Sequence, residues 1–230
     1  MPKILCIETS GPVCSVAIYQ DIDVCVDFIA SDTEFQHAAV LTVLIEKILQ
    51  ENELTPEDIS AVALSAGPGS YTGLRIGTSV AKGLCYALDI PLIAISTLKL
   101  LAYAYLSENP ANDDILICPA IDARRNEVYT AIYDRSLRPM LKPQPLVVTE
   151  HSFEQHLNQA PIHFIGSGAE KISKIITHDN IVSIEENYMY AKYLGNLAFT
   201  KFEQKNFETI AYFDPFYLKE FHTNAKKQSQ

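Results

Sequence analysis

The stretch Leu64-Ser65-Ala66-Gly67-Pro68-Gly69-Ser70-Tyr71-Thr72-Gly73-Leu74-Arg75-Ile76-Gly77 decides the fold, because it joins an apolar run to a helical pattern. The run from Ile59 to Leu64 predicts a buried strand, and the glycines and proline after it predict a tight turn. Gly67 and Gly69 can adopt positive φ angles there. The pattern then predicts a helix from about Thr72 to Leu88.

The start of this helix is a candidate anion site. Ser70 or Thr72 can cap the helix, and uncovered N–H groups at a helix start favour negative charge. The spacing matches neither a dinucleotide fingerprint nor a P-loop, so an ordinary strand-to-helix turn without a ligand stays equally open. Together with the turn after the first strand, the candidate phosphate contacts are Glu8, Thr9, Ser10, Gly67, Gly69, Ser70, Thr72 and Arg75.

Three glycines inside the predicted helix indicate that another backbone comes close. Gly73 and Gly77 form one stripe with Ala81, and Gly83 lies on a second stripe. Each glycine costs about 1 kcal/mol relative to alanine in a helix, so a packing reason is expected. The close neighbour belongs either to this chain or to a partner.

Composition narrows the functional classes. The 230-residue chain has a formal net charge of −10, which makes it a poor autonomous binder of nucleic acid. No apolar run is long enough to span a membrane, and the start lacks the apolar core of a signal peptide. The five cysteines lack metal-binding spacing and mostly lie in apolar runs, which is typical of reduced thiols in a cytoplasmic protein.

The segment from Glu34 to Glu51 predicts a helix with two apolar faces. Ala38, Leu41, Ile45 and Ile48 recur at helical spacing and form the expected core face, and His37 is expected at the surface. Val40, Val43 and Leu44 form a second patch, either a partner surface or a face covered by the same chain. The predicted partner surface consists of Val40, Val43, Leu44, Gly73, Gly77, Val80, Ala81 and Leu84.

An internal repeat indicates a duplicated α/β fold. Ile7-Glu8 and Ala17-Ile18-Tyr19 match Ile121-Asp122 and Ala131-Ile132-Tyr133 at a constant offset of 114. A polar, turn-rich segment around residue 110 separates the copies and predicts domains 1–109 and 110–230. In the second copy, bulky Arg124 and Arg125 occupy the turn where a phosphate loop needs small residues.

The second half is less regular. Pro139, Pro143 and Pro145 predict an extended loop, and Tyr188 to Gln204 predicts a helix. The aromatic segment Tyr212 to Leu218 is expected to pack on the core, and the Lys226-Lys227 tail is expected to be disordered.

The glycine motif resembles the signature of the TsaB (YeaZ) family, whose members take part in making threonylcarbamoyladenosine beside the tRNA anticodon. Ile7-Glu8-Thr9-Ser10 resembles the opening strand and turn of that family, where Asp is usual in place of Glu8. Ile90-Pro91-Leu92, Ser96-Thr97-Leu98 and Asp122-Ala123-Arg124 also match. The likeness is dense over about residues 1–105, good near 120–133 and thin afterwards.

The resemblance implies an actin-like (ASKHA, ribonuclease H-like) fold of two duplicated subdomains. It also implies a scaffold without a cofactor or metal of its own, which pairs with the catalytic relative TsaD through the two predicted helices. The catalytic relative carries two metal-binding histidines in a segment that corresponds to Ser96–Leu101 here, and both are missing. A TsaE-type ATPase, a nucleotide at the partner interface, indirect contact with tRNA and a homodimer in the absence of the partner are further expectations.

Two other functions are weighed against this hypothesis. An active ATPase or phosphotransferase of the same fold would use Glu8, Thr9 and Ser10 with the Gly67–Ser70 turn, but the arginines in the second turn argue against it. A peptidase would need a nucleophile and base pair or a zinc-ligand set, and the sequence presents neither motif.

Overall fold

The computed structural model describes residues 1–22, 24–31, 36–110, 114–184, 186 and 188–218. The predicted helix start at Glu34 and the Lys226-Lys227 tail lie outside these residues. The strands are β1 (Ile4–Glu8), β2 (Ser15–Asp21), β3 (Val24–Ala30), β4 (Ala61–Ser65), β5 (Leu92–Ile95), β6 (Leu116–Asp122), β7 (Glu127–Tyr133), β8 (Pro139–Val147), β9 (Ile162–Ile165) and β10 (Ile181–Ile184). The α-helices are α1 (His37–Glu51), α2 (Tyr71–Leu88), α3 (Thr97–Glu108), α4 (Glu154–Leu157), α5 (Ala169–Ile175) and α6 (Gly195–Glu203), and Pro56–Asp58 and Ala191–Tyr193 form 3-10 turns.

The described strands form two sheets of the same design. The order is β3-β2-β1-β4-β5 in the first sheet and β8-β7-β6-β9-β10 in the second. In each sheet the first three strands are antiparallel, and the fourth and fifth are parallel to the first. The common order confirms the repeat that the sequence predicted.

The constant offset of 114 is wrong for the second strand of the repeat. Ile7 pairs with Val16 in the first sheet, whereas Ile121 pairs with Tyr129 in the second. The offset across β7 is therefore one residue smaller than across β6, because the second turn is one residue shorter. A one-residue change of register alters which face of a strand is buried, so only the pairing could reveal it.

The chain returns to the first sheet at its C-terminal end. Leu197, Ala198 and Phe199 on α6 pack with Ile93 in one hydrophobic cluster. Helix α6 is shorter than the predicted helix from Tyr188 to Gln204, since a 3-10 turn precedes it and it begins at Gly195. Because a Cβ atom at Gly195 would collide with the ring of Tyr19, this close approach sets the start of the helix against β2.

Helix α1 is rotated relative to its predicted orientation. Leu41, Ile45 and Ile48 are buried as predicted, but Ala38 is exposed. His37 is buried and not a surface residue, and its Nε2 atom lies 3.0 Å from the carbonyl oxygen of Gly11. This hydrogen bond turns the first residue of the helix toward the β1–β2 turn.

The predicted proline loop is instead the edge strand β8. Pro139 and Pro145 lie opposite Tyr133 and Tyr129 of β7, and β8 is the outermost of the described strands on this side of the sheet. Proline lacks an N–H donor, which an outermost strand tolerates on its open side. Among the described residues, no helix is long and apolar enough to cross a membrane.

Candidate functional site

The turn after β1 encloses a buried carboxyl group. Oε1 of Glu8 accepts hydrogen bonds from the N–H and the hydroxyl of Ser10, both at 2.5 Å. Oε2 has no hydrogen-bond partner among the described residues, and the nearby hydroxyl of Ser65 has none either. Burial raises the pKa of Glu8 above its ordinary value, while interactions with Ser10 and Ser65 lower it in part. The fold therefore favours a neutral Glu8 carboxyl group.

Thr9 is the close neighbour that the helix glycines accommodate. A Cβ atom at Gly73 would overlap the carbonyl oxygen of Thr9, and one at Gly77 would overlap the Thr9 hydroxyl. A Cβ atom at Gly83, by contrast, would meet nothing within 4 Å. The first glycine stripe therefore packs against this chain's own turn, and only Gly83 faces open space.

Several backbone donors of the glycine motif form hydrogen bonds within the chain. The N–H of Ser70 donates to the carbonyl of Ser10 at 2.7 Å, and the N–H of Gly67 donates to the Thr97 hydroxyl at 3.1 Å. The hydroxyl of Ser70 accepts from the N–H of Gly73 at 3.2 Å, so Ser70 is the helix cap. These hydrogen bonds connect the glycine turn with the turn after β1 and with the start of α3.

A cleft of about 800 Å³ separates the two halves of the molecule. Ser10, Gly69, Ser70 and Thr72 line one wall, and they are the predicted phosphate contacts that the fold brings together. The opposite wall includes Asp122, Arg124, Ser167, Glu186 and Met189.

Neighbouring side chains pack closely on the first turn in this arrangement. A Cβ atom at Gly11 would lie 2.7 Å from the Met189 sulfur, so Met189 covers the turn from the cleft side. The Glu8 carboxyl group is turned onto Ser10, and Thr9 is buried beside α2. On the opposite wall, Asp122 forms an ion pair with Lys171 at 2.6 Å. Glu8 is thus hydrogen-bonded within the turn, and Asp122 on the opposite wall is paired with Lys171.

The outer faces of α1 and α2 form a separate surface. Val43 is 57% exposed, and Val40, Val80 and Leu84 are half-buried. Four members of the predicted partner surface are buried within the chain: Leu44, Gly73, Gly77 and Ala81. Tyr86 was missed by the sequence reasoning, although it is 85% exposed on α2.

The C-terminal segment packs against the beginning of the glycine motif, at Ala66 and Gly67. Phe213 is buried as predicted, but Tyr212, Phe216 and Tyr217 are exposed, so only part of the aromatic segment packs on the core. The N–H of Phe216 donates to the carbonyl of Ala66 at 2.6 Å. A Cβ atom at Gly67, whose φ is 107°, would lie 2.8 Å from the Phe216 carbonyl oxygen. Gly67 is therefore a contact for this segment.

Arg75 lies on the outer side of α2, away from the cleft. Its guanidinium group stands 4.2 Å from the centre of the Tyr71 ring, and its Nε donates to the Tyr217 hydroxyl at 3.3 Å. The predicted phosphate contacts consequently fall into four places: the cleft wall, the buried turn, the contact of Gly67 with the C-terminal segment, and this outer face.

Comparisons with known proteins identify relatives of this chain. The family model of TsaD, tRNA N6-adenosine threonylcarbamoyltransferase, matches residues 28–226. The tRNA threonylcarbamoyladenosine biosynthesis protein TsaB of Bacillus subtilis is 37% identical over 130 residues, 56% of this chain and 54% of that protein. The match thus spans about half the length of that relative. TsaB of Buchnera aphidicola from Acyrthosiphon pisum is 30% identical over 212 residues, 88% of this chain and 91% of that protein.

The solved structures extend the likeness to the whole fold. A Pseudomonas aeruginosa protein described as similar to peptidase YeaZ superposes with a TM-score of 0.84 at 25% identity, over 95% of this chain and 100% of that one. A second structure, YeaZ from the same organism, gives a TM-score of 0.78 over the same shares. With its two sheets of identical strand order, the molecule has the actin-like (ASKHA) fold. This chain belongs to the TsaB (YeaZ) family, within the wider group of proteins that the TsaD family model describes.

Proposed function

We propose that this chain is the non-catalytic scaffold subunit of the complex that adds threonylcarbamoyl to the adenosine next to the tRNA anticodon. Its catalytic partner is a TsaD-type subunit. The relatives' names place them in the biosynthesis of this modified nucleoside. In the cell the complex works in the cytoplasm, for which five free cysteines are suited.

The observation that carries the proposal is the start of α3. The resemblance implies that two histidines of the corresponding segment hold the metal in the TsaD-type relative, whereas this chain has Thr97 and Leu101 at those positions, beside Leu98 and Leu100. All three leucines are fully buried in the core. Leu101 offers no atom that could coordinate a metal ion, and the Thr97 hydroxyl accepts a hydrogen bond from the Gly67 N–H, so we infer that this segment stabilises the fold and leaves the transfer chemistry to the partner.

The outer face of α1 and α2 is the docking surface. Helices of 15 and 18 residues are about 22 and 27 Å long, at 1.5 Å per residue. Their exposed sides carry Val43 and Tyr86, flanked by half-buried Val40, Val80 and Leu84. A stable interface buries about 800 Å² on each partner, and two such helices supply much of that area. In the absence of the partner, the same face joins two copies of this chain.

The remaining partners follow the same logic. The family likeness implies a TsaE-type ATPase as a further subunit of the complex. Any nucleotide binds at the interface with the partner and not in the cleft. The net charge of −10 opposes direct binding of tRNA, which the complex holds mainly through other subunits.

Reconstitution of the modification tests the proposal. We expect threonylcarbamoyladenosine to form with all subunits, to be lost when this chain is omitted, and to be absent with this chain alone. Val43→Asp should abolish both pairing and product, whereas Val147→Asp should preserve them, since Val147 is equally exposed at 61% but lies on β8 of the other half. Product formation without this chain, or by this chain alone, would refute the scaffold role.

A further inference from the structure

The C-terminal strap, residues 213–217, is fastened to α2 by polar and aromatic contacts. Nζ of Lys82 donates to the Phe213 carbonyl at 3.0 Å, and Tyr217 receives the Arg75 hydrogen bond. The rings of Tyr71 and Tyr217 have their centres 5.2 Å apart. The strap therefore lies along one flank of α2 from its first turn to its middle.

The exposed ridge of α2 runs between the strap and α1. Thr72, Arg75, Ser79, Gly83 and Tyr86 are exposed and recur at intervals of three and four, which places them on one side of the helix. On one flank, Ile76, Val80 and Leu84 pack in the same hydrophobic cluster as the α1 side chains. On the other flank, Arg75, Thr78 and Lys82 face Asp214, Pro215 and Tyr217. The exposed side of α2 thus lies between α1 on one flank and the strap on the other.

The flank of α2 that faces the strap contains a cationic pocket of about 480 Å³. Nε of Arg75 donates to Tyr217, and no hydrogen bond from its two Nη groups is found among the described residues; Lys82 donates one hydrogen bond to Phe213. The hydroxyl of Thr78 also lines this region without a partner among the described residues, although the residue is only 6% exposed. Two cations face the single carboxylate of Asp214, in a chain that is acidic as a whole.

We propose that the catalytic partner places a carboxylate side chain in this pocket, so that its footprint covers α1, the α2 ridge and the strap. This inference rests on the proposed function and adds the third element of the interface. The guanidinium fork of Arg75 matches a carboxylate in two-point geometry. Exposed Tyr217 and Phe216 beside it supply the aromatic area typical of interface centres. The pocket opens onto the ridge, so a partner helix along α2 reaches it with a single Asp or Glu.

The affinity of the purified pair tests the inference. We expect Arg75→Gln to raise the dissociation constant of the pair about tenfold or more and to make that constant less dependent on salt concentration. Arg75→Lys should restore only part of the affinity, because it keeps the charge and loses the fork. Arg138→Gln is the matched control, since its side chain is 79% exposed on the other half of the molecule and should leave affinity unchanged. Unaltered melting temperatures would exclude unfolding as the cause.

The outcomes separate this inference from the proposed function. If Arg75→Gln binds the partner like wild type while Val43→Asp does not, the strap is not part of the interface and the inference is refuted. If wild-type protein fails to bind a TsaD-type partner at all, the proposed function itself fails. Titration of inorganic phosphate into the isolated chain is the remaining arm: saturable binding that Arg75→Gln abolishes, with partner affinity unchanged, would assign the pocket to a free anion and overturn the proposal.

Discussion

Replacing Gly73 with alanine tests whether the glycine stripe of α2 serves the chain's own packing. The new methyl carbon would lie 3.2 Å from the Thr9 carbonyl carbon and closer still to its oxygen. It would also lie 3.3 Å from Cδ2 of the buried His37. Since carbon contacts settle near 3.5–4.0 Å, the β1–β2 turn would have to retreat by roughly 1 Å.

The magnitude follows from two opposing terms. Alanine gains about 1 kcal/mol over glycine inside a helix. Overpacking a close contact costs about 1–3 kcal/mol, and the upper end applies because the obstacle is backbone and not a mobile side chain. The net loss for Gly73→Ala is therefore about 2 kcal/mol. For a chain of this size, that lowers the melting temperature by about 4–8 °C.

Gly83→Ala is the matched control on the same helix. Its methyl group meets nothing within 4 Å, so only the helix-propensity gain remains and the melting temperature should rise by about 2–4 °C. Differential scanning calorimetry of both variants, each with circular dichroism to confirm the fold, measures the contrast. A Gly73→Ala protein as stable as wild type would refute the claim that Thr9 and α2 require this close approach.

Three further predictions concern other parts of the fold. Because burial raises the pKa of Glu8, the folded chain binds that proton more tightly than the unfolded chain, and the contribution of Glu8 to wild-type stability should fall as pH rises above about 4.5. Glu8→Gln removes this loss, so its advantage in melting temperature over wild type should grow with pH, with exposed Glu203→Gln as the control for the lost charge; a constant difference would contradict the reasoning. Iodoacetamide should modify Cys25 alone in the folded chain and all five cysteines in denaturant, because Cys25 is exposed and the other four residues are buried out of reach of the reagent; peptide mapping that finds a second modified site would contradict this. Gly195→Ala should unfold or strongly destabilise the chain, since its methyl group would enter the Tyr19 ring, and urea denaturation with an unchanged midpoint would argue against it.

Local patterns were sufficient to predict the duplicated architecture. The strand, acidic residue, turn and strand recur in sequence, and strand order repeats in the structure. Periodicity also predicted most of α2, whose observed span of Tyr71–Leu88 differs from the prediction at one end only. The register of β7 and the rotation of α1 could not be predicted, because they depend on a shorter turn and on the His37 contact with Gly11.

Long-range contacts explain the larger errors. Pro139, Pro143 and Pro145 contradict a central strand, and only the place of β8 at the sheet edge makes a strand compatible with them. The strap meets the glycine motif across about 150 residues, so no local signal could show that Gly67 faces Phe216. Gly67 therefore contacts the strap, whereas the anion site at the start of α2 stays a prediction.

The β1–β2 turn connects the cleft with the docking face, and this gives the glycine motif a role that requires no ligand. Thr9 fits against Gly73 and Gly77 on α2, and the Gly11 carbonyl meets His37 at the start of α1. One turn thereby sets the positions of both helices whose outer faces form the proposed docking surface. Larger residues at Gly73 or Gly77 would move α2 away from the turn and change the shape of the proposed docking surface. If the proposed function holds, the small residues of the motif are required because they fix the relative position of α1 and α2.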